Sequence, residues 1–281
     1  VKLNPFYINN LVKTALSEDI GTGDITSNLI DKDCFSFAFI MNREPMIVSG
    51  IPILQSIFQQ IDKKIQCKYF VTDSDRIKKN KKLLLLYGPT RSLLIAERTA
   101  LNFLQFLSGI ATTTAEYIKK ISHTSCQLLD TRKTIPGLRL AQKYAVYCGG
   151  GKNHRIGLFD SFLIKENHIH ASNSIISIIN NARVYNPKCN LIVEVESIEQ
   201  LIQVKKLNVN RIILDNFSIQ DIKESVSIIN NKIPLEVSGN ISLNNIQNIA
   251  ETGVNFISSG SITKNIKSID LTMKLVEIKN I

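Results

Sequence analysis

The chain has no CxxC pair, no aliphatic run longer than Leu83–Leu86, and no aromatic residues interleaved with its lysine clusters. Each absence removes a class of protein. Five widely spaced cysteines (Cys34, Cys67, Cys126, Cys148, Cys189) form neither a disulfide framework nor a zinc site and fit reduced thiols. A four-residue aliphatic run cannot span a bilayer, and Val1–Lys2–Leu3–Asn4–Pro5 lacks a signal-peptide pattern, so the expectation is a cytoplasmic chain without a membrane partner. The formal charge of +10 over 281 residues invites a nucleic-acid reading. Much of that excess lies in Lys78–Lys79–Asn80–Lys81–Lys82 and in scattered lysines with no stacking platform, which reads as a solvated face.

Catalytic motifs are also missing. Gly149–Gly150–Gly151–Lys152 imitates a phosphate-binding Walker loop, but Val146 stands where its first glycine is required and Asn153 replaces the Ser or Thr that meets magnesium. His168–Ile169–His170 could present two metal ligands on a strand face, yet no later strand end offers a further His. No Ser or Cys sits in a nucleophile elbow.

What is present is a dense cationic stretch between residues 130 and 168. It comprises Asp130 to Arg139, Gly149 to Arg155, and Leu163–Ile164–Lys165–Glu166–Asn167–His168. Cations beside Gly, Thr and Pro, off any amphipathic helix, describe loops built to hold an anion.

The organisation around this stretch reads in two parts. A helix over Asn9–Glu18 precedes short apolar runs at Phe35–Met41, Met46–Ser49, Lys68–Val71 and Leu83–Tyr87, which predict a small α+β domain. A long helix starts at Thr90, with Gly109 expected to interrupt it and Ala111–Ile121 to form a second helix. Thereafter β-rich runs ending in polar residues alternate with helical stretches: Gln127–Asp130, Ser161–Lys165, Leu191–Glu196, Arg211–Asp215, Leu235–Ser238 and Asn255–Ser258. Such βα units make a barrel or a doubly wound sheet, and in both the chemistry sits at the C-terminal strand ends.

Those ends carry the candidate residues. In Ile192–Val193–Glu194–Val195–Glu196, period-two alternation puts both glutamates on one face, and buried carboxylates need compensating cations. Lys165, expected on a face with Leu163 and Asn167, is the local candidate, and a purely structural ion pair would satisfy the same pattern. Ser238–Gly239–Asn240 and Ser258–Ser259–Gly260–Ser261 let backbone N–H groups approach a phosphate, or simply turn the chain.

Taken in order, these segments resemble one family. They include Glu18–Asp19–Ile20–Gly21–Thr22–Gly23–Asp24–Ile25–Thr26, Glu97–Arg98–Thr99–Ala100–Leu101–Asn102, Asp130 to Arg139, Gly149 to Arg155 and Ile164 to His168. The series ends with Glu194–Val195–Glu196, Leu214–Asp215–Asn216–Phe217, Glu236–Val237–Ser238–Gly239–Asn240 and Gly253 to Thr263. The pattern is similar to that of the quinolinate phosphoribosyltransferases, or carboxylating nicotinate-nucleotide pyrophosphorylases, over nearly the whole chain.

The resemblance implies an α/β fold: an incomplete, TIM-like α/β barrel over residues 109–267 with an N-terminal α+β domain over 1–108, onto which a tail at 268–281 folds back. It implies phosphoribosyl transfer to quinolinate, a Mg2+ requirement, and a homodimer in which Arg98 serves the neighbouring site. It assigns Arg98, Thr131, Arg132, Lys133, His154 and Arg155 to quinolinate. Lys165, Glu194 and Asp215 become catalytic and phosphoribosyl-pyrophosphate-binding residues, with Glu194 and Asp215 facing the metal. Ser238, Gly239, Asn240, Ser259, Gly260 and Ser261 go to phosphate. One departure stands out: Thr263–Lys264–Asn265 has no histidine where many family members carry one. Two rivals stay open, a relative acting on nicotinate or another acid, and a basic nucleic-acid-binding module.

Overall fold

The computed structural model describes residues 2–276. It divides into two compact units, one of Val1–Thr113, Leu140–Gly150 and Ile266–Ile281, the other of Thr114–Arg139 and Gly151–Asn265. The chain begins with α1 (Pro5–Ile20), β1 (Phe35–Asn42), β2 (Met46–Ile47), α2 (Ile51–Ile61), β3 (Gln66–Tyr69), β4 (Arg76–Ile77), β5 (Lys82–Pro89) and α3 (Thr90–Ile121). It continues through β6 (Gln127–Leu129), α4 (Arg139–Cys148), β7 (Phe162–Ile164), α5 (Glu166–Ser172), α6 (Ile175–Tyr185), β8 (Leu191–Val195) and α7 (Ile198–Val204). It ends with β9 (Arg211–Asp215), α8 (Ile219–Ile229), β10 (Leu235–Ser238), α9 (Ile246–Ala250), β11 (Phe256–Ser258), α10 (Ser261–Lys264) and β12 (Leu271–Val276).

In the first unit, α1 starts where the Asn4 side chain accepts a hydrogen bond from the Tyr7 N–H (2.7 Å) with Pro5 in the first turn, and it buries Ile8, Val12 and Leu16 on one face. The main sheet has the order β12-β1-β5-β3, antiparallel throughout, with Ala38 and Ile40 buried at its centre. The C-terminal strand β12 thus lies beside β1, while residues 277–281 of the expected tail lie outside the described residues. Helix α2 was not legible as a helix, because Ile51–Pro52–Ile53–Leu54 is a short apolar run. Its start is fixed from elsewhere: Asp73 Oδ1 accepts from the N–H groups of Gly50 and Ile51 (2.9 and 3.1 Å).

Gly109 does not interrupt α3, which runs unbroken for 32 residues. Its glycine answers a close approach instead: a Cβ there would stand 2.3 Å from the Lys267 carbonyl oxygen.

The second unit is a parallel sheet with the order β6-β11-β10-β9-β8-β7. The first strand pairs with the last, and β6 and β7 are left as the two edges, so the barrel is incomplete. Serines cap the helices after the turns: Ser174, Ser197 and Ser218 each accept from the backbone N–H three residues on. The segment after α4 returns to β6, where Lys152 bridges Leu129 in parallel.

Replacing Gly109 by alanine should therefore destabilise the protein. Helix propensity alone would gain about 1 kcal/mol, but a methyl forced against the Lys267 carbonyl costs about 1–3 kcal/mol by overpacking. Urea unfolding should show a lower midpoint for Gly109→Ala, and a higher one would contradict this reading.

Candidate active site

At the C-terminal ends of the parallel strands lies a cleft of about 890 Å³. Thr131, Arg132, Lys133, His154, Arg155, Lys165, Glu194 and Asp215 all line it. Ser238, Gly239, Asn240, Ser259, Gly260 and Ser261 close the other side. Arg98 stands exposed on α3, in the other compact unit.

The cationic half is held by a buried acid. Asp130 is fully buried and accepts from Asn153 Nδ2 (2.6 Å) and from the His154 N–H (2.8 Å), pinning the second cationic loop to the end of β6. The first loop is tied by Arg139, whose Nε donates to Thr134 Oγ1 (3.1 Å) and whose Nη1 donates to the Ile156 carbonyl (3.1 Å). These bonds hold Arg132 and Arg155 close together. Burial, and next the charge of Arg132, draw the Arg155 guanidinium below its ordinary pKa. The buried Nε atoms of Arg132 and Arg155 have no hydrogen-bond partner among the described residues. Two half-buried guanidinium groups, with Arg155 Nη1 donating to the Ser161 carbonyl (3.2 Å) and other donors unspent, describe a site for a planar anion.

The acidic half is set out in register. Glu194 and Glu236 both pair with Ile213, so two carboxylates stand at one level on either side of it. Lys165 Nζ donates to both oxygens of Glu194 (2.9 and 2.7 Å). The lysine is 41% exposed and the glutamate 7%, so the cation can change partners while the acid stays. Burial pushes the Glu194 carboxyl up, with Lys165 offsetting part of the rise and Asp215 adding to it. For Glu236 burial acts the same way, but His154, Ser258 and Arg211 outweigh it and hold the carboxyl below its usual range.

Asp215 accepts from Ser238 Oγ (2.5 Å) and Asn216 Nδ2 (2.9 Å). Next to it, Asn216, Gly239 and Asn240 take positive φ (56°, 92° and 51°), and the Asn216 N–H donates to the Ser238 carbonyl (3.0 Å). Gly239 is required twice, by its φ and because a Cβ would meet Asn216 Oδ1 at 2.1 Å. Gly260 lets the last loop approach Lys133 and Thr131, and Thr263 Oγ1 donates to the Lys133 carbonyl (2.8 Å).

Two expectations change. Glu196 is exposed beyond the end of β8, and only Glu194 of the pair is buried. Asn167 lies in α5 and not on a strand face with Lys165, because β7 stops at Ile164. His168 and His170 share that helix, where His168 Nδ1 accepts from the Lys165 N–H (3.1 Å). The cleft also contains Asn216, Glu236, Lys264 and Asn265, none of them selected from sequence. Glu236 was within reach: like Glu194, it is an acid inside an apolar strand run.

The raised Glu194 carboxyl has a stability consequence. It is neutral in both folded and unfolded chains at low pH, and stability is lost as pH rises through the raised folded-state value. Glu194→Gln should therefore be more stable than the parent at neutral pH, with the gap closing below the ordinary glutamate range. Thermal unfolding across pH checks this, and equal stability at pH 7 would contradict it.

Comparison with known proteins agrees with the geometry. Family models described as quinolinate phosphoribosyl transferase, N-terminal domain and C-terminal domain, match residues 24–108 and 110–274. Quinolinate phosphoribosyltransferase [decarboxylating] 2b, mitochondrial, of Nicotiana tabacum is 38% identical, covering 97% of this chain and 83% of its own. The chloroplastic nicotinate-nucleotide pyrophosphorylase [carboxylating] of Oryza sativa is 37% identical over 97% of this chain and 79% of its own. The solved nicotinate-nucleotide pyrophosphorylase of Francisella tularensis superposes with a TM-score of 0.94 at 47% identity, covering 98% of both chains. The chain belongs to the quinolinate phosphoribosyl transferase family.

Proposed function

We propose that this protein transfers the phosphoribosyl group of phosphoribosyl pyrophosphate to the ring nitrogen of quinolinate. Pyrophosphate and CO2 leave, and nicotinate mononucleotide is formed for NAD synthesis. The observation that carries the reading is the pair of arginines, Arg132 and Arg155, lining one cleft with the carboxylates of Glu194 and Asp215 and the hydroxyls of Ser238, Ser259 and Ser261. Such a site takes a dicarboxylate on one side and a phosphorylated sugar on the other.

Arg132 and Arg155 bind the quinolinate carboxylates, with Lys133 and Thr131 beside them and His154 lining that half. Lys165 releases part of its hold on Glu194 to meet the incoming anions. Glu194 and Asp215 take the ribose hydroxyls, and their charge stabilises the oxocarbenium-like sugar as its bond to pyrophosphate breaks. The Ser238–Asn240 and Ser259–Ser261 loops hold the 5-phosphate. The ring nitrogen's lone pair forms the new bond to the sugar's anomeric carbon, and pyrophosphate leaves with the electrons of the old one. When the neighbouring carboxylate departs as CO2, the bonding pair stays on the ring carbon, stabilised by the adjacent cationic nitrogen, and that carbon is then protonated. The protein positions and compensates charge, and no covalent enzyme intermediate is involved.

Magnesium fits this donor set as a shared ligand. Glu194 and Asp215 offer hard oxygens, but among the described residues no group of three or more ligating side chains gathers. Glu194 and Asp215 would hold such an ion together with the substrate's diphosphate. When bound, it would neutralise charge on the leaving pyrophosphate.

The exposure of Arg98 on α3 supports a homodimer in which it completes the partner's quinolinate site. No helix among the described residues is long and apolar enough to cross a membrane, and all five cysteines are unpaired, which supports a cytoplasmic setting.

Arg132→Ala should raise the quinolinate KM by about 10–100-fold, the worth of a charge-assisted carboxylate contact, while the phosphoribosyl pyrophosphate KM stays put. Equal losses for both substrates in steady-state kinetics would refute the assignment. Mixing inactive Arg98→Ala and Lys165→Ala protomers should restore about a quarter of the parent rate, since random exchange gives half heterodimers with one intact site each. No rescue in exchanged dimers would remove the sharing.

A further inference from the structure

Glu236 is a fully buried carboxylate in the cleft floor to which the mechanism above gives no task. Its surroundings are specific. Arg211 Nη1, from the start of β9, donates to Glu236 Oε2 (2.8 Å) while its guanidinium lies over the Phe256 ring (4.1 Å to the centroid). His154 Nε2 also approaches that oxygen, at 3.5 Å, while the buried Glu236 Oε1 has no hydrogen-bond partner among the described residues. The opposite ring nitrogen, Nδ1, accepts the Arg155 N–H at 2.7 Å. A continuous polar chain therefore runs Arg211–Glu236–His154–Arg155, from the sheet to one of the two anion-binding guanidinium groups.

Two acids hold this loop by different means. Asp130 holds it through the His154 backbone and the Asn153 side chain. Glu236 acts on the His154 ring, which sets where the Arg155 N–H, and with it the Arg155 side chain, must stand. At the same level of the sheet, Glu194 faces a half-exposed lysine, whereas Glu236 faces partners that keep it in place.

We propose that Glu236 is a positioning residue for the quinolinate half of the site: through the His154 imidazole it orients Arg155 against Arg132 for a dicarboxylate. This rests on the quinolinate reading of that half. It assigns Glu236 no contact with substrate, and it makes the His154 ring a spacer with both nitrogens engaged by protein.

Kinetics of Glu236→Gln, His154→Ala and the double variant test it. Glu236→Gln should raise the quinolinate KM about tenfold or more, the cost of misplacing a binding group, with the phosphoribosyl pyrophosphate KM within about twofold by the logic of selective binding loss. The double variant should be no worse than the weaker single variant, because both cut one chain. A parallel loss for both substrates, or multiplied effects in the double variant, would overturn the proposal. Should Glu236→Gln fail to fold, nitrogen NMR of His154 in the unmodified protein decides: Nδ1 unprotonated and Nε2 protonated is expected, and a protonated Nδ1 overturns it. If Arg132→Ala leaves the quinolinate KM unchanged, the quinolinate reading itself fails. If Arg132→Ala raises it and Glu236→Gln does not, only the role of Glu236 fails.

Discussion

Two guanidinium groups held side by side in a partly buried cleft repel each other, and the parallel unit is arranged to hold them there. Burial first, and then the charge of Arg132, hold the Arg155 guanidinium below its ordinary pKa. Buried Asp130 fixes the second loop, Arg139 fixes the first, and Gly260 lets the last loop close in against Lys133. On the proposed reading, an incoming dicarboxylate would relieve the repulsion and meet donors already in place, so that the ordering cost is met in folding and not at binding.

The acids across the cleft show the same logic with sign reversed. Glu194 and Glu236 share one level of the sheet, yet their environments push them apart, one above and one below the ordinary glutamate range. The raised acid sits with a movable lysine and can respond to substrate charge. The lowered acid is locked between Arg211 and His154 and serves the framework. Environment, not residue type, separates their work.

Much of this was legible in the sequence, for physical reasons. Buried parallel strands are short apolar runs, and their functional ends are polar, so β6 to β11 and the cleft residues on them stood out. Helix α2 did not, because its first-turn proline and apolar start resemble a strand edge and its cap, Asp73, comes from a distant turn. Gly109 misled because a glycine required by a neighbour's carbonyl looks like one that breaks a helix. Glu236 was passed over because its partners, Arg211 and His154, converge on it only in the folded sheet.

The central claim is that the cationic half is built for two carboxylates. It is tested most directly by comparing kcat/KM for quinolinate and nicotinate at saturating phosphoribosyl pyrophosphate. A site whose buried donors are left unpaired by the smaller acid should favour quinolinate by on the order of 10³-fold or more. Turnover of nicotinate within about tenfold of quinolinate, a gap that one contact alone would exceed, would contradict the account.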